Sequence, residues 1–160
     1  MICLDTNALI WAVEFNSDPA VSDQCKRIRH YLERLRDEQT PVMIPVPVLF
    51  EFLCKYPRER HEVHQAARAD AFVLFDATPQ VASEAAALFQ AGNAAAMSSG
   101  GQPKQQRKMD LLVAASAIVA GVTEIVSEDR DYSQMTGGRL TWKKVSSLPL
   151  PPAGLFDQAE

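Results

Sequence analysis

Short apolar runs, separated by stretches of helical period, constrain this chain to a layered α/β architecture. Residues 1–4 are apolar throughout, which suits a central parallel strand buried on both faces. Residues 42–44, bracketed by prolines, the buried-strand candidate 72–75 and residues 124–126 read as further strands. A last short strand is expected around Lys144 and Val145. Between them the period changes. Leu9, Ile10 and Val13 share one helical stripe, as do Cys25, Ile28, Leu32 and Leu35 in a charged helix ending near Asp37. Pro47 suits the first turn of a helix reaching about residue 56, with Val46, Leu49, Phe50 and Leu53 as its buried face. A polar helix is expected over 60–69. Pro79 opens an alanine-rich helix with Val81, Ala85, Leu88 and Phe89 on one side. The final long helix is read as 110–120, closed by Gly121. Alternating strands and helices predict an α/β sandwich with a mostly parallel sheet, whose ligands bind outside the carboxyl ends of the strands.

Length and composition narrow the possibilities further. A chain of 160 residues, 47% hydrophobic, can build one sizeable core but hardly two, so residues 1–146 are read as one domain with a proline-rich tail over 147–160. Residues 97–108 combine Gly, Ser and Pro with Lys104, Arg107 and Lys108, and read as a flexible basic loop. Cys3, Cys25 and Cys54 are odd in number and lack CxxC spacing, which favours free thiols in a reducing compartment. The N-terminus has no basic segment, and the longest apolar stretch, 111–122, falls short of the roughly 20 residues that span a bilayer. A cytoplasmic protein without a membrane anchor is the expectation. A net charge of −4 excludes the broad basic footprint of many nucleic-acid-binding domains, so any such contact must come from local patches.

The chemistry lies in the carboxylates. Asp5 ends the first apolar run and is followed by Thr6 and Asn7, three potential N-caps where a helix needs one. Asp110 stands at the expected start of an apolar helix, where the helix dipole would favour its charge. Glu51 flanks the apolar face of its helix. Ser127, Glu128, Asp129 and Asp131 follow the strand 124–126 in an acidic turn. If Asp5, Asp110 and Asp129 meet at one sheet edge, their repulsion calls for a cation, and oxygen-only ligands favour Mg2+ or Mn2+ over zinc. Such an ion can activate water and stabilise charge on a phosphoryl oxygen.

Four segments together resemble a known family. They are Met-Ile-Cys-Leu-Asp-Thr-Asn, Pro-Val-Leu-Phe-Glu-Phe-Leu, Lys-Met-Asp-Leu-Leu-Val-Ala-Ala-Ser-Ala and Ser-Glu-Asp-Arg-Asp-Tyr. In content and order they are similar to the signature segments of PIN-domain ribonucleases, and among these to the VapC-type toxins of toxin–antitoxin pairs. The resemblance covers residues 1–146. It implies a three-layer α/β/α fold, Mg2+-dependent cleavage of RNA, a cognate antitoxin and a homodimer. Carried over by position, it implies Asp5 and Asp110 as principal metal ligands. Glu51 and Asp129 complete the acidic pocket, Asp129 also as a metal ligand, with Thr6, Asn7 and Ser127 as hydrogen-bonding support. Lys104, Arg107 and Lys108 are the basic residues placed to meet RNA. Two departures stand out: the 97–108 segment is longer than in compact toxins, and Ser127 occupies a position where threonine is commoner.

Other readings compete. A metal-dependent phosphatase also uses an aspartate after an early strand, but needs a second aspartate two residues on, where this chain has Asn7. A receiver-like signalling module would use Asp76, at the end of the strand 72–75, as phosphoacceptor, yet the segment 127–132 supplies no lysine. An idle scaffold is disfavoured because all four acidic positions are kept. His61-Glu62-Val63-His64 is one residue short of the zinc motif H-E-x-x-H and has no third ligand nearby. Trp11 and Trp142 are expected in the core or an interface, and the basic residues over 26–36 on a solvated helix face.

Overall fold

The structure is a computed structural model that describes residues 1–13, 19–55, 72–96, 104–128 and 132–152; the side chains at 19, 20, 93–96 and 104–107 lie outside the description. The polar helix expected over 60–69 and the His61–His64 motif fall outside it as well.

The apolar runs become strands β1 (Ile2–Leu4), β2 (Val42–Pro45), β3 (Phe72–Phe75), β4 (Glu124–Ser127) and β5 (Thr141–Lys144). They form one parallel sheet in the order β3-β2-β1-β4-β5. β1 is central, with Cys3 opposite Met43 on one side and Ile125 on the other. Successive residues of a strand face opposite sides of the sheet, so a strand that is apolar at every position needs cover on both. The core divides accordingly. Ile2, Leu4, Val42 and Val126 pack with Ile28, Tyr31 and Leu35 of helix α2 (Pro19–Asp37) and with Val145 of a short 3-10 helix (Val145–Ser147). Cys3, Met43 and Ile125 pack with helices α3 (Val46–Lys55), α4 (Pro79–Ala96) and α5 (Lys104–Val119). Helix α1 (Thr6–Val13) contributes Ala8 to the first cluster and Leu9 and Ile10 to the second. The result is the three-layer α/β/α sandwich. Among the described residues no helix is long and apolar enough to cross a membrane.

Four local expectations are corrected. β3 is an edge strand rather than a buried one, and Val73 and Leu74 are each 44% exposed. The buried face of α3 is Pro47, Val48 and Phe52, while Phe50 is 59% exposed. That helix is apolar on nearly every side, so its period offered more than one face, and packing beside β2 selected the Val48–Phe52 pair. Residues 104–108, read as the end of a loop, are the first residues of α5. The basic residues of α2 are not all merely solvated: the Arg27 guanidinium donates to the Leu148 carbonyl, and Arg29 Nε donates to the Ala12 carbonyl at 3.2 Å, tying α2 to its neighbours.

Gly121 closes α5 as expected. Its φ of +71° is left-handed, Val122 N donates to Ala117 O at 2.9 Å, and Gly121 N donates to Ile118 O at 3.0 Å. This tight exit leads almost directly into the first residue of β4. Helix α5 therefore runs back against the strand direction, which brings its N-terminal half over the carboxyl edge of the sheet. Trp11 and Trp142 are half-buried against the core.

Candidate active site

β1 and β4 are neighbours, although the chain visits β2 and β3 between them. The strand order reverses at this pair, and such a point leaves a crevice at the carboxyl ends of a parallel sheet. Asp5 and Ser127 stand at the two lips of that crevice.

Asp5 is held by its backbone and by both carboxylate oxygens. Its N–H donates to Val126 O at 3.0 Å, continuing the β1–β4 ladder, and its carbonyl accepts from Leu9 N at 3.0 Å, starting α1. Oδ1 accepts from Thr6 N at 2.8 Å, and Oδ2 accepts from the Ser127 hydroxyl at 2.6 Å. An N-cap side chain ordinarily serves the second or third helical N–H. Asp5 instead serves the first and turns its other oxygen across the crevice, so capping alone does not account for it. The carboxylate is 7% exposed. Burial pushes its pKa up from the ordinary carboxylate value; the hydrogen bonds from Ser127 and Thr6, and the nearby Tyr132 hydroxyl, oppose that shift, and the charge of Glu51 adds to it. Among the described residues, no lysine or arginine pairs with it.

Glu51 joins the cluster through Thr6, whose hydroxyl donates to Glu51 Oε2 at 2.5 Å. Helix α3 begins directly after β2, the strand beside β1, and so carries Glu51 to the same edge. Asn7, the second residue of α1, is half-buried beside them. Ser127 is fully buried, and its carbonyl accepts the Trp142 indole N–H at 3.0 Å.

Asp110 does not begin its helix; it is the seventh residue of α5. The helix dipole acts chiefly within the first turn, so the reading in which it favours this charge is overturned. Asp110 lies on the stripe that continues through Val113, Ala114 and Ala117, all nearly or fully buried. The small side chains let α5 lie close, and Asp110 extends their stripe toward the carboxyl edge. Lys104, Arg107 and Lys108 precede it on the same helix, with Lys108 exposed. Asp129 and Asp131 lie outside the described residues.

Tyr132 was not anticipated. It opens the short helix α6 (Tyr132–Met135), is fully buried, and has its hydroxyl near both Asp5 and Asp110. Burial first, then the charges of Asp5 and Asp110, push its phenol pKa well above the ordinary value. The hydroxyl is directed to Asp5 but completes no hydrogen bond of ordinary geometry among the described residues. The signal in the sequence was an aromatic residue closing the acidic Ser127–Tyr132 segment.

The donors at this edge are carboxylates and hydroxyls, the hard oxygen chemistry that suits Mg2+ or Mn2+. A desolvated carboxylate that has no cationic partner among the described residues, with a buried hydroxyl beside it that is unsatisfied among them, fits a cation site. Among the described residues no three His, Cys, Asp or Glu side chains converge tightly enough to form one unaided.

Comparison with known proteins places these observations in a family. The PIN domain profile matches residues 2–138. The fold is similar to the VapBC2 complex of Rickettsia felis, solved bound to a DNA fragment from its promoter, at 18% identity and a TM-score of 0.63, over 90% of this chain and 98% of that one. It is also similar to the DNA-bound VapBC of Salmonella typhimurium, at 16% identity and a TM-score of 0.61, over 90% and 97%. No curated protein gives a significant match.

Proposed function

This chain belongs to the PIN-domain family, and from that premise we propose that it is a Mg2+-dependent endoribonuclease, the toxin of a toxin–antitoxin pair. The observation that carries the reading is the buried Asp5 carboxylate, tied to Ser127 across the strand-order reversal with Glu51 alongside. In this reading Asp5, Asp110 and Asp129 hold the cation, Mg2+ or alternatively Mn2+, and Glu51 completes the acidic pocket. Bound there, the ion would activate water and neutralise charge developing on a phosphoryl oxygen. The chain's own contribution is positional. Thr6 N–H and the Ser127 hydroxyl keep Asp5 in one rotamer, while the Thr6 hydroxyl holds Glu51. Asn7 adds hydrogen-bonding capacity, and Lys104, Arg107 and Lys108 on α5 supply local positive charge for RNA on a chain of net charge −4.

The antitoxin partner is supported by the solved VapBC complexes that share this fold. A lysine or arginine of such a partner, placed between Asp5 and Asp110, would take the place of the cation. A homodimer and a cytoplasmic setting belong to the same proposal.

The receiver alternative loses ground on topology. Asp76 follows the edge strand β3, with β2 intervening before β1, so about 10 Å separates it from the Asp5 crevice. The phosphatase alternative still lacks an acid at Asn7.

Purified protein incubated with a total RNA pool tests the proposal. Internal cleavage should require Mg2+ or Mn2+, stop with EDTA, and disappear in Asp5→Asn and Asp110→Asn. Cleavage that persists in both variants would reject this site.

A further inference from the structure

We propose that Tyr132 is a positioning residue of the acidic site, its hydroxyl serving as a third donor to the Asp5 carboxylate. The inference rests on the cation-binding reading above and deepens it. An ionised carboxylate offers about four lone-pair positions. Thr6 N–H takes one on Oδ1 and the Ser127 hydroxyl one on Oδ2. A third donor from Tyr132 would leave about one position for a cation, and would settle which oxygen presents it.

Packing alone does not explain a tyrosine here. The ring is fully buried in the core cluster with Leu9, Ile125 and Leu140. Phenylalanine would fill the same volume without leaving a hydroxyl unsatisfied inside the protein, an arrangement that costs free energy. The groups whose charge bears on that hydroxyl are Asp5 first, then Asp110 and Cys3. Asp5, just after β1, and Asp110, on α5, are two of the three carboxylates assigned to the cation. Tyr132 itself is fixed from behind: its carbonyl accepts the Thr136 hydroxyl at 2.7 Å, and Ser133 Oγ accepts Trp142 N–H at 3.0 Å, which fastens α6 to β5. A donor on so constrained a backbone can hold a carboxylate to one orientation. Partners that orient a metal ligand in this way typically alter affinity about 10–100-fold when removed.

The test is Mn2+ binding without RNA, followed by electron paramagnetic resonance, on wild type, Asp5→Asn, Tyr132→Phe and Tyr132→4-aminophenylalanine. The last variant keeps a donor at the para position. Tyr132→Phe should weaken Mn2+ binding about tenfold or more, while the metal-free protein melts at or above the wild-type temperature. The 4-amino variant should recover most of the affinity. Because Mg2+ tolerates less departure from ideal geometry than larger cations, Tyr132→Phe should also lose more Mg2+-supported than Mn2+-supported cleavage. If Tyr132→Phe binds Mn2+ like wild type while Asp5→Asn does not, the role of Tyr132 is rejected and the acidic site stands. If Tyr132→Phe lowers the metal-free melting temperature and the 4-amino variant does not restore binding, the residue is structural and the inference also fails. Equal binding by wild type and Asp5→Asn would instead remove the cation site itself.

Discussion

The Ser127 hydroxyl, at the end of β4, donates to Oδ2 of Asp5, at the end of β1, over 2.6 Å and 122 positions of sequence. That bond favours the ionised form of Asp5 against the burial that opposes it. Ser127→Ala should therefore raise the Asp5 pKa further. The acidic limb of the cleavage profile should move to higher pH, and metal affinity should fall by about tenfold. Ser127→Thr, which keeps the hydroxyl, should restore both. An unchanged pH profile in Ser127→Ala would show that this bond does not tune the site.

Asp5 also links stability to pH. Its folded pKa lies above its unfolded one, so over the window between them the folded chain binds more protons than the unfolded chain. Stability from this group is complete below the unfolded pKa and declines as pH rises through the folded pKa. At neutral pH without metal, Asp5→Asn should thus melt above wild type, and the difference should shrink as the pH is lowered. Denaturation at several pH values checks both the sign and the window.

Divalent cation that binds only the folded state should raise the melting temperature with concentration. Mg2+ and Mn2+ are expected to do so for wild type and to lose the effect in Asp110→Asn. A variant that responds as wild type does would place the cation elsewhere.

Expression without an antitoxin should slow cell growth, and Asp5→Asn should relieve it at equal protein level. Growth curves with matched immunoblots decide the matter: equal toxicity from both forms would remove the catalytic explanation.

Gly121 supplies a prediction independent of chemistry. A Cβ there meets nothing within 4 Å, so only its left-handed backbone opposes substitution. Gly121→Ala should cost about 1–2 kcal/mol in chemical denaturation and leave cleavage intact.

Much of the architecture was legible because it is encoded in local periods. Unbroken apolarity over 1–4 identified a central strand, and the first charge after it, Asp5, fell at the strand's carboxyl end. Gly121 was recognisable because few other residues accept its φ. Local period was less informative where a helix is apolar on nearly every side. Phe50 was expected inside and lies outside, since only the neighbouring β2, α1 and α5 could choose among the faces of α3. The start of α5 at Lys104, rather than near Asp110, was likewise obscured by a polar, basic first turn without apolar period.

The chain itself determined its five strands and the longer of its described helices, their parallel arrangement, and the positions of Asp5 and Ser127 at strand ends. Tertiary structure decided which of those ends meet. Strand order depends on the burial of apolar surface summed over the whole core, and no local segment carries that sum. It placed β4 beside β1, and with it Ser127 on Asp5, Thr6 on Glu51, and the Tyr132 hydroxyl near Asp5 and Asp110.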